Sequence, residues 1–204
     1  MTIGILALQG DFSPHIHMLT SLNSAAVEVR TPVDLSLCDS LIIPGGESTT
    51  IGKLAVQFGL INPLKDFIAR GKPVWGTCAG AILIANSVSD YPITTTKKRG
   101  PLANGARKGW IGGMDITVVR NAFGRQVDSF EEPIYIEGIK NSDKPFNAIF
   151  IRAPVLQSVG KNAQILSKLS DGTIVAAREN NLLATSFHPE LTDDFRMHEY
   201  FLTF

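Results

Sequence analysis

The sequence predicts an α/β fold, a mostly parallel sheet with helices on both faces. Three observations carry this. The first 90 residues hold three units in which a short apolar run is followed by a helix-compatible segment, the pattern of parallel strands joined by helices. The second half changes character and supplies a series of short strand-like runs, two of them separated by the hairpin signal Asp171-Gly172. The chain has 204 residues, 44% of them hydrophobic, which suits one domain with a real core.

In order, residues 3–8 read as a buried first strand, broken at Gln9-Gly10-Asp11. Ser13-Pro14 supplies an N-cap with proline at the first helical position, and Ile16, Leu19 and Leu22 share one side of the helix that follows. Residues 26–30 alternate as a strand. Leu41-Ile42-Ile43 is a short β-branched run ending at Pro44-Gly45-Gly46-Glu47-Ser48. Residues 51–70 are helical in pattern, with Pro63 breaking or restarting them and Gly71 as a C-cap. A strand through Val74 and Trp75 then meets a sharp turn and another helix.

From 91 to 113 the chain is rich in Gly, Thr, Lys and Arg with little periodicity, and reads as a long surface excursion. Strands follow at 116–119, 134–136, 148–151, 164–169, 173–177 and 182–186. Residues 192–204 form a last helix, with Thr192 as N-cap, Asp193 and Asp194 in its first turn, and Phe195, Tyr200 and Leu202 placed to pack it onto the sheet.

Bulk properties exclude several classes of function. Nineteen basic residues balance nineteen acidic ones, so no global field draws nucleic acid or an anionic membrane. Cys38 and Cys78 sit in very different contexts, which is no disulfide framework and suits a reducing, cytoplasmic setting. The apolar N-terminus lacks a basic flank and reads as a strand, not a signal peptide. No apolar run approaches the roughly 18 residues of a membrane span.

The chemistry centres on Gly76-Thr77-Cys78-Ala79-Gly80. Glycine stands two residues before and two after the thiol, the layout of a nucleophile elbow between strand and helix. The turn leaves little room for large neighbours, and it sets the thiol at a helix N-terminus, where unpaired N–H groups and the dipole favour a thiolate. The alternative is a buried cysteine in a glycine-rich turn. Ser186-Phe187-His188-Pro189-Glu190 provides the complement. If Pro189 holds the chain extended, His188 and Glu190 project from the same side, and a histidine oriented by a carboxylate is the base a cysteine nucleophile needs. Cys78 and His188 are far apart in sequence, so a parallel sheet must bring two strand ends to one edge. Taken alone, His188 also suits a plain strand end.

Pro44-Gly45-Gly46-Glu47-Ser48-Thr49-Thr50 is the third stretch. Its glycines let a peptide N–H point into a cleft, and acyl transfer needs two such donors for its oxyanion; Gly46 and Ala79 are the candidates. A plain strand-to-helix turn with Ser48 or Thr49 as N-cap is the alternative. Phosphate-loop patterns are absent.

No metal is expected. His15 and His17 diverge by about 200° around a helix and cannot share one ion, so packing and solvent account for them. His-x-Glu of the zinc deaminases lacks its P-C-x-x-C partner. Lys97-Lys98-Arg99 with Arg107-Lys108 reads as a solvated basic loop, or as contact with an acidic partner surface, and Cys38 reads as inert.

These three stretches resemble the class I, triad-type glutamine amidotransferases. The blocks Leu6-Ala7-Leu8-Gln9-Gly10-Asp11-Phe12, Pro44-Gly45-Gly46-Glu47-Ser48-Thr49-Thr50, Gly76-Thr77-Cys78-Ala79-Gly80, Arg120-Asn121-Ala122-Phe123-Gly124-Arg125-Gln126-Val127-Asp128-Ser129-Phe130, Phe150-Ile151-Arg152-Ala153-Pro154 and Ser186-Phe187-His188-Pro189-Glu190-Leu191-Thr192 resemble, in order, the glutaminase subunits of pyridoxal 5′-phosphate synthase. The resemblance covers nearly the whole chain. It implies a single three-layer, flavodoxin-like domain over 1–204 with a small antiparallel extension.

The resemblance also implies that Cys78 attacks the side-chain amide of L-glutamine, releases ammonia and forms a glutamyl thioester, with His188 and Glu190 completing the triad. Gly46, Glu47 and Ser48 would hold glutamine and help form the oxyanion hole. Arg120, Ile151 and Arg152 match glutamine-binding positions, and a guanidinium suits the substrate carboxylate. No cofactor is implied. Ammonia would pass to a (β/α)₈ synthase subunit that builds the vitamin B6 cofactor from a pentose phosphate and a triose phosphate.

In this family the glutaminase is slow until the synthase binds, through rearrangement of the Gly46 loop, and Gln9 and Gly10 lie near that contact. An amidotransferase feeding another acceptor is disfavoured by the F-G-R-Q-x-D-S-F block, and a non-catalytic scaffold by the intact Cys78, His188 and Glu190. One departure is the stretch 91–110, longer and more basic than in compact bacterial relatives. It resembles an insertion of eukaryotic members, either surface decoration or extra contact with the synthase. The chain stops soon after its last helix begins, as a trimmed C-terminus would.

Overall fold

The apolar runs of the first half become strands buried on both faces. A computed structural model describes residues 1–89, 102–103, 109–120 and 129–204. Its elements begin with β1 (Thr2–Leu6), α1 (Phe12–Ser21), β2 (Ala25–Val29), α2 (Pro32–Ser36), β3 (Ser40–Ile43), α3 (Ser48–Gln57), α4 (Ile61–Ala69), β4 (Val74–Thr77) and α5 (Ala79–Ile84). They continue with β5 (Ala85–Ser89), β6 (Leu102–Ala103), β7 (Met114–Val119), β8 (Ser129–Ile134), β9 (Phe146–Ile151), β10 (Val155–Val159), β11 (Gln164–Lys168), β12 (Ile174–Glu179), β13 (Leu182–Thr185) and α6 (Arg196–Phe201).

The main sheet runs β2-β1-β3-β4-β13-β12-β10-β7-β5-β6, with β11 on the side of β12. From β2 to β13 every pair is parallel. Beyond β13 the chain turns back on itself and most pairs are antiparallel, β5 on β7 excepted. β8 and β9 form a separate antiparallel ribbon. The α/β architecture with helices on both faces and a small antiparallel sheet is as the sequence predicts.

Alternate residues of the central strands feed two cores. Leu41, Ile43, Val74, Leu182 and Ala184 join a cluster under α2 to α5, whereas Ile42, Trp75 and Leu183 point to a second cluster under α1, α6 and the β8-β9 ribbon. Trp75, Ile42 and Leu183 are fully buried, each contributing about 1.5–3 kcal/mol or more of transfer free energy. No helix among the described residues is long and apolar enough to cross a membrane.

Several boundaries differ from the sequence expectation, each for a local reason. α1 starts at Phe12, not after Ser13, because Asp11 N–H bonds Gly45 O (3.0 Å) and Phe12 N–H bonds Gly10 O, closing the turn earlier. Pro14 then lies within the first turn, where its missing N–H costs nothing. α2 was not anticipated; a capping box of Thr31 and Asp34, with Pro32 at its start, makes this single turn stable. Residues 51–70 form two helices rather than one broken at Pro63. The break falls at Phe58-Gly59-Leu60, and Pro63 sits in the first turn of α4.

The expected last helix begins at Arg196, not Thr192. Thr192 instead closes a 3₁₀ turn over Pro189–Leu191, and Asp194 accepts from Arg196 N–H (3.0 Å) ahead of the helix. Of the expected surface excursion, residues 91–101 and 104–108 lie outside the described residues, as do 123–128 of the F-G-R-Q-x-D-S-F block. Its far end is not at the surface. Trp110 and Ile111 are buried in the core, and Gly109 packs backbone to backbone on Gly52 of α3.

Candidate active site

Cys78 stands at the corner between β4 and α5 with φ 47° and ψ −102°. The turn can form because its flanking glycines carry no Cβ. A Cβ on Gly76 would lie 2.4 Å from Gly80 C, and one on Gly80 would lie 1.9 Å from Ile43 O. The thiol is 6% exposed, and its Sγ lies 3.9 Å from Ile151 O at the end of β9. Ile151 O faces the thiol where the chain leaves β9, just before Arg152 adopts φ +43°.

β13 lies beside β4 in parallel register, pairing Thr185 with Thr77, and Cys78 N–H bonds Thr185 O (2.8 Å). The next residues therefore emerge beside the thiol. His188 N–H is anchored on Ile149 O (2.8 Å), and its ring interacts electrostatically with both Cys78 and Glu190. His188 Nδ1 lies 2.8 Å from Glu190 Oε1. The route to this contact differs from the one expected. Pro189 does not extend the strand; it opens the 3₁₀ turn, which swings Glu190 back onto the ring. Both side chains are buried.

The Pro44–Ser48 loop covers the same site. A Cβ on Gly45 would lie 2.3 Å from His188 Cε1, so only glycine lets the loop lie flat on the imidazole. Gly46 has φ +151°, and the next N–H, of Glu47, donates to Gln9 Oε1 (2.8 Å). Gln9 and Gly10 thus pack directly on the loop. Glu47, not Ser48 or Thr49, caps α3. Its carboxylate accepts from the N–H groups of Thr49 (3.1 Å) and Thr50 (2.7 Å) and from both their hydroxyls. Ser48 is buried as the first residue of the helix. Ala79 opens α5 directly after the thiol. Arg120 follows β7, with its N–H on Ser89 O (2.9 Å), and Arg152 is exposed.

Residues 5–204 match the SNO glutamine amidotransferase family. The chain belongs to that family. A pyridoxal 5′-phosphate synthase subunit PdxT from Dehalococcoides mccartyi is 52% identical, over 99% of this chain and 96% of that protein. The protein of the same name from Roseiflexus sp. is 50% identical over 99% of both. Among solved structures, a glutamine amidotransferase superposes with TM-score 0.85 at 41% identity, covering 100% of this chain and 98% of the other. PurLQS from Thermotoga maritima shares the fold, with TM-score 0.69 at 14% identity over 99% and 97% of the two chains.

In this family member the site is electrostatically organised. Burial alone would lower the pKa of His188. Its hydrogen bonds and charge interactions with Cys78 and Glu190 outweigh that and push it up to about 10, so the ring holds a proton readily. Burial raises Glu190, against the pull of His188. An imidazole that takes up a proton so readily, set beside a thiol and held by a carboxylate, has the properties of a base.

Asp11, His188 and Glu190 each present one potential ligand atom within 4.8 Å of one another. A metal there would have to compete with the 2.8 Å His188–Glu190 bond. Three participants were not visible in the sequence as such. Asp11 Oδ2 approaches His188 Nδ1 to 3.7 Å, Gly45 stacks on the ring, and His15 reaches Glu190 from behind. The only sequence signal for His15 was its place opposite His17 on α1, and the two do face differently, His15 buried and His17 exposed.

Proposed function

We propose that this chain is the glutaminase of a pyridoxal 5′-phosphate synthase, hydrolysing L-glutamine to L-glutamate and ammonia. The observation that carries the reading is the buried array of Cys78, His188 and Glu190, with the Nδ1–Oε1 contact at 2.8 Å orienting the ring toward the thiol. The names of the relatives support the pathway.

His188 Nδ1 is held by Glu190, which leaves Nε2 to take the Cys78 proton. The thiolate adds to the δ-carbon of glutamine. The resulting oxyanion is received by the N–H groups of Gly46 and Ala79, each worth on the order of 10²–10³ in rate. The imidazolium then protonates the departing nitrogen, ammonia leaves, and a glutamyl thioester remains on Cys78. Water, deprotonated by His188, attacks the thioester; glutamate departs and the thiol regains its proton.

Gly46, Glu47, Ser48, Arg120, Ile151 and Arg152 hold the amino acid. The carboxylate of Glu47 is engaged as a helix cap, so its contribution comes from its main chain. Ile151 O, close to the thiol, suits the ammonium group of the substrate, and an arginine suits its carboxylate. The ammonia acceptor is a (β/α)₈ synthase subunit docking near Gln9 and Gly10. Because Gln9 Oε1 is bonded to Glu47 N–H, a partner that engages Gln9 acts directly on the oxyanion loop. The setting is the cytoplasm.

The test is glutamate release from glutamine, with and without the synthase subunit. Cys78→Ala is expected to abolish it while leaving synthase binding intact. Undiminished glutamate production by that variant would sink the mechanism.

A further inference from the structure

Behind the triad lies a second polar column, closed to solvent. His15 on α1, Thr77 at the end of β4 and His198 on α6 are all fully buried. His15 Nδ1 lies 2.9 Å from His198 Nε2. His15 Nε2 lies 3.4 Å from Thr77 Oγ1 and 3.4 Å from Glu190 Oε2. That carboxylate oxygen and His198 Nδ1 both lack a hydrogen-bond partner among the described residues. Placing two imidazoles in a core costs stability unless their polar atoms are used.

The tautomers follow from the contacts. Burial, and then the neighbouring His198 and His188, hold His15 well below the ordinary imidazole value; burial brings His198 down to about 3. Each ring is therefore neutral and carries one N–H. In one arrangement His198 Nε2–H donates to His15 Nδ1, and His15 Nε2–H faces Glu190 Oε2 and Thr77. On the two rings, the atom then left without a partner is a bare lone pair on His198 Nδ1. In the opposite arrangement the Thr77 hydroxyl can donate to His15 Nε2, but a buried N–H is stranded on His198 Nδ1 and the His15 lone pair also faces the carboxylate. Stranded buried donors are the rarer defect, and a lone pair facing a carboxylate is repulsive, so the first arrangement wins. His15 Nε2 has Thr77 Oγ1 as its hydrogen-bond partner at rest, and its 3.4 Å approach to Glu190 Oε2 becomes a bond when the ring turns slightly toward that oxygen, as hydrogen bonds in resting active sites align only on substrate binding.

We propose that His15 is a positioning residue of the triad: its Nε2–H supports the second oxygen of Glu190, and His198 sets the tautomer that allows it. The proposal rests on the reading of Cys78, His188 and Glu190 as a triad. Glu190 is then held at both oxygens, Oε1 by His188 and Oε2 by His15, and cannot rotate away from the ring it orients. α1 and α6 are thereby tied to the reacting centre by a continuous chain from His198 through His15 and Glu190 to His188.

Histidine-labelled protein read by ¹⁵N NMR reports the tautomers without any substitution. His15 and His198 are expected neutral and protonated on Nε2 between about pH 5 and 8. A His15 ring protonated on Nδ1 overturns the proposal. The pH profile of Cys78 alkylation by iodoacetamide, and kcat and KM for glutamine with the synthase present, are then compared for wild type, His15→Leu and His15→Gln. His15→Leu is expected to move the alkylation profile to higher pH and to lower kcat about 10- to 100-fold at unchanged KM, the span set by one hydrogen bond to a charged group.

His15→Gln, whose amide can still donate, is expected to recover most of both. Identical profiles and kcat in all three folded proteins overturn the proposal. If the leucine variant does not fold, the tautomers and the glutamine variant still decide. If the wild type releases no glutamate even with the synthase, the glutaminase reading fails, while the NMR and alkylation results still judge His15.

Discussion

Cys78 adopts φ 47° and ψ −102°, a conformation that costs on the order of 1–3 kcal/mol and persists only because its surroundings hold it. The flanking glycines make room, and the bond from Cys78 N–H to Thr185 O pins the corner from the neighbouring strand. At the same scale, Gly45 is as demanding as either elbow glycine, since its missing Cβ is where the His188 ring lies. Gly45→Ala is expected to displace the ring, to destabilise the protein by about 1–3 kcal/mol as overpacking does, and to lower kcat more than it raises KM. Urea denaturation and steady-state kinetics on one preparation check both. Preserved activity at unchanged stability would mean that the loop can move off the ring freely.

α3 follows the loop that covers His188, and its start depends on one exposed side chain. Glu47 accepts from Thr49 and Thr50 at the helix N-terminus, and these hydrogen bonds, those to the two hydroxyls foremost, draw its pKa from 4.5 down to about 2. Glu47→Gln is expected to cost about 1 kcal/mol at neutral pH, a capping-scale effect appropriate to an exposed group. A carboxyl depressed on folding contributes stability above its unfolded value and loses it as pH falls through the folded one. The gap between wild type and variant should therefore close between about pH 5 and pH 2, read from urea midpoints at stepped pH. A gap that stays constant across that window would show that the charge is not what caps the helix. α6 shows the complementary case. Its helical pattern was legible, but its start was set by Asp194 and by the preceding 3₁₀ turn, neither of which periodicity reveals.

At the scale of the whole molecule, the site depends on the packing of the β8-β9 ribbon beneath it. Phe150 is fully buried, stacks on Phe130 at 4.5 Å and meets Phe187 edge-on at 5.8 Å, one residue before His188. Ile149 O and Ile151 O, on either side of Phe150, contact His188 N–H and the Cys78 thiol. Phe150→Ala is expected to cost about 3–5 kcal/mol and to lower activity in the protein that remains folded. Denaturation monitored by tryptophan fluorescence, with glutamate release measured well below the midpoint, separates the two effects. Full activity in the folded variant would mean that the ribbon stabilises the fold without positioning the base.

The elbow and the imidazole–carboxylate contact were legible because their parts are local words. Gly76-Thr77-Cys78-Ala79-Gly80 specifies an elbow through steric limits within five residues, and His188-Pro189-Glu190 sets an imidazole beside a carboxylate, although through a 3₁₀ turn and not the extended chain expected. The alternation of β-branched runs with helical stretches, likewise local, was enough for an α/β sheet buried on both faces. What only the tertiary structure decided involves residues far apart in sequence. The parallel register of β4 and β13 brings His188 to Cys78, the approach of Gly45 to the imidazole closes the loop over it, and the packing of α1 against α6 joins His15 to His198 behind Glu190. A buried histidine and a surface one look alike in a sequence, because burial and tautomer are properties of what surrounds the ring. His15 was accordingly read as packing, and it took the folded chain to set it 3.4 Å from the Glu190 carboxylate.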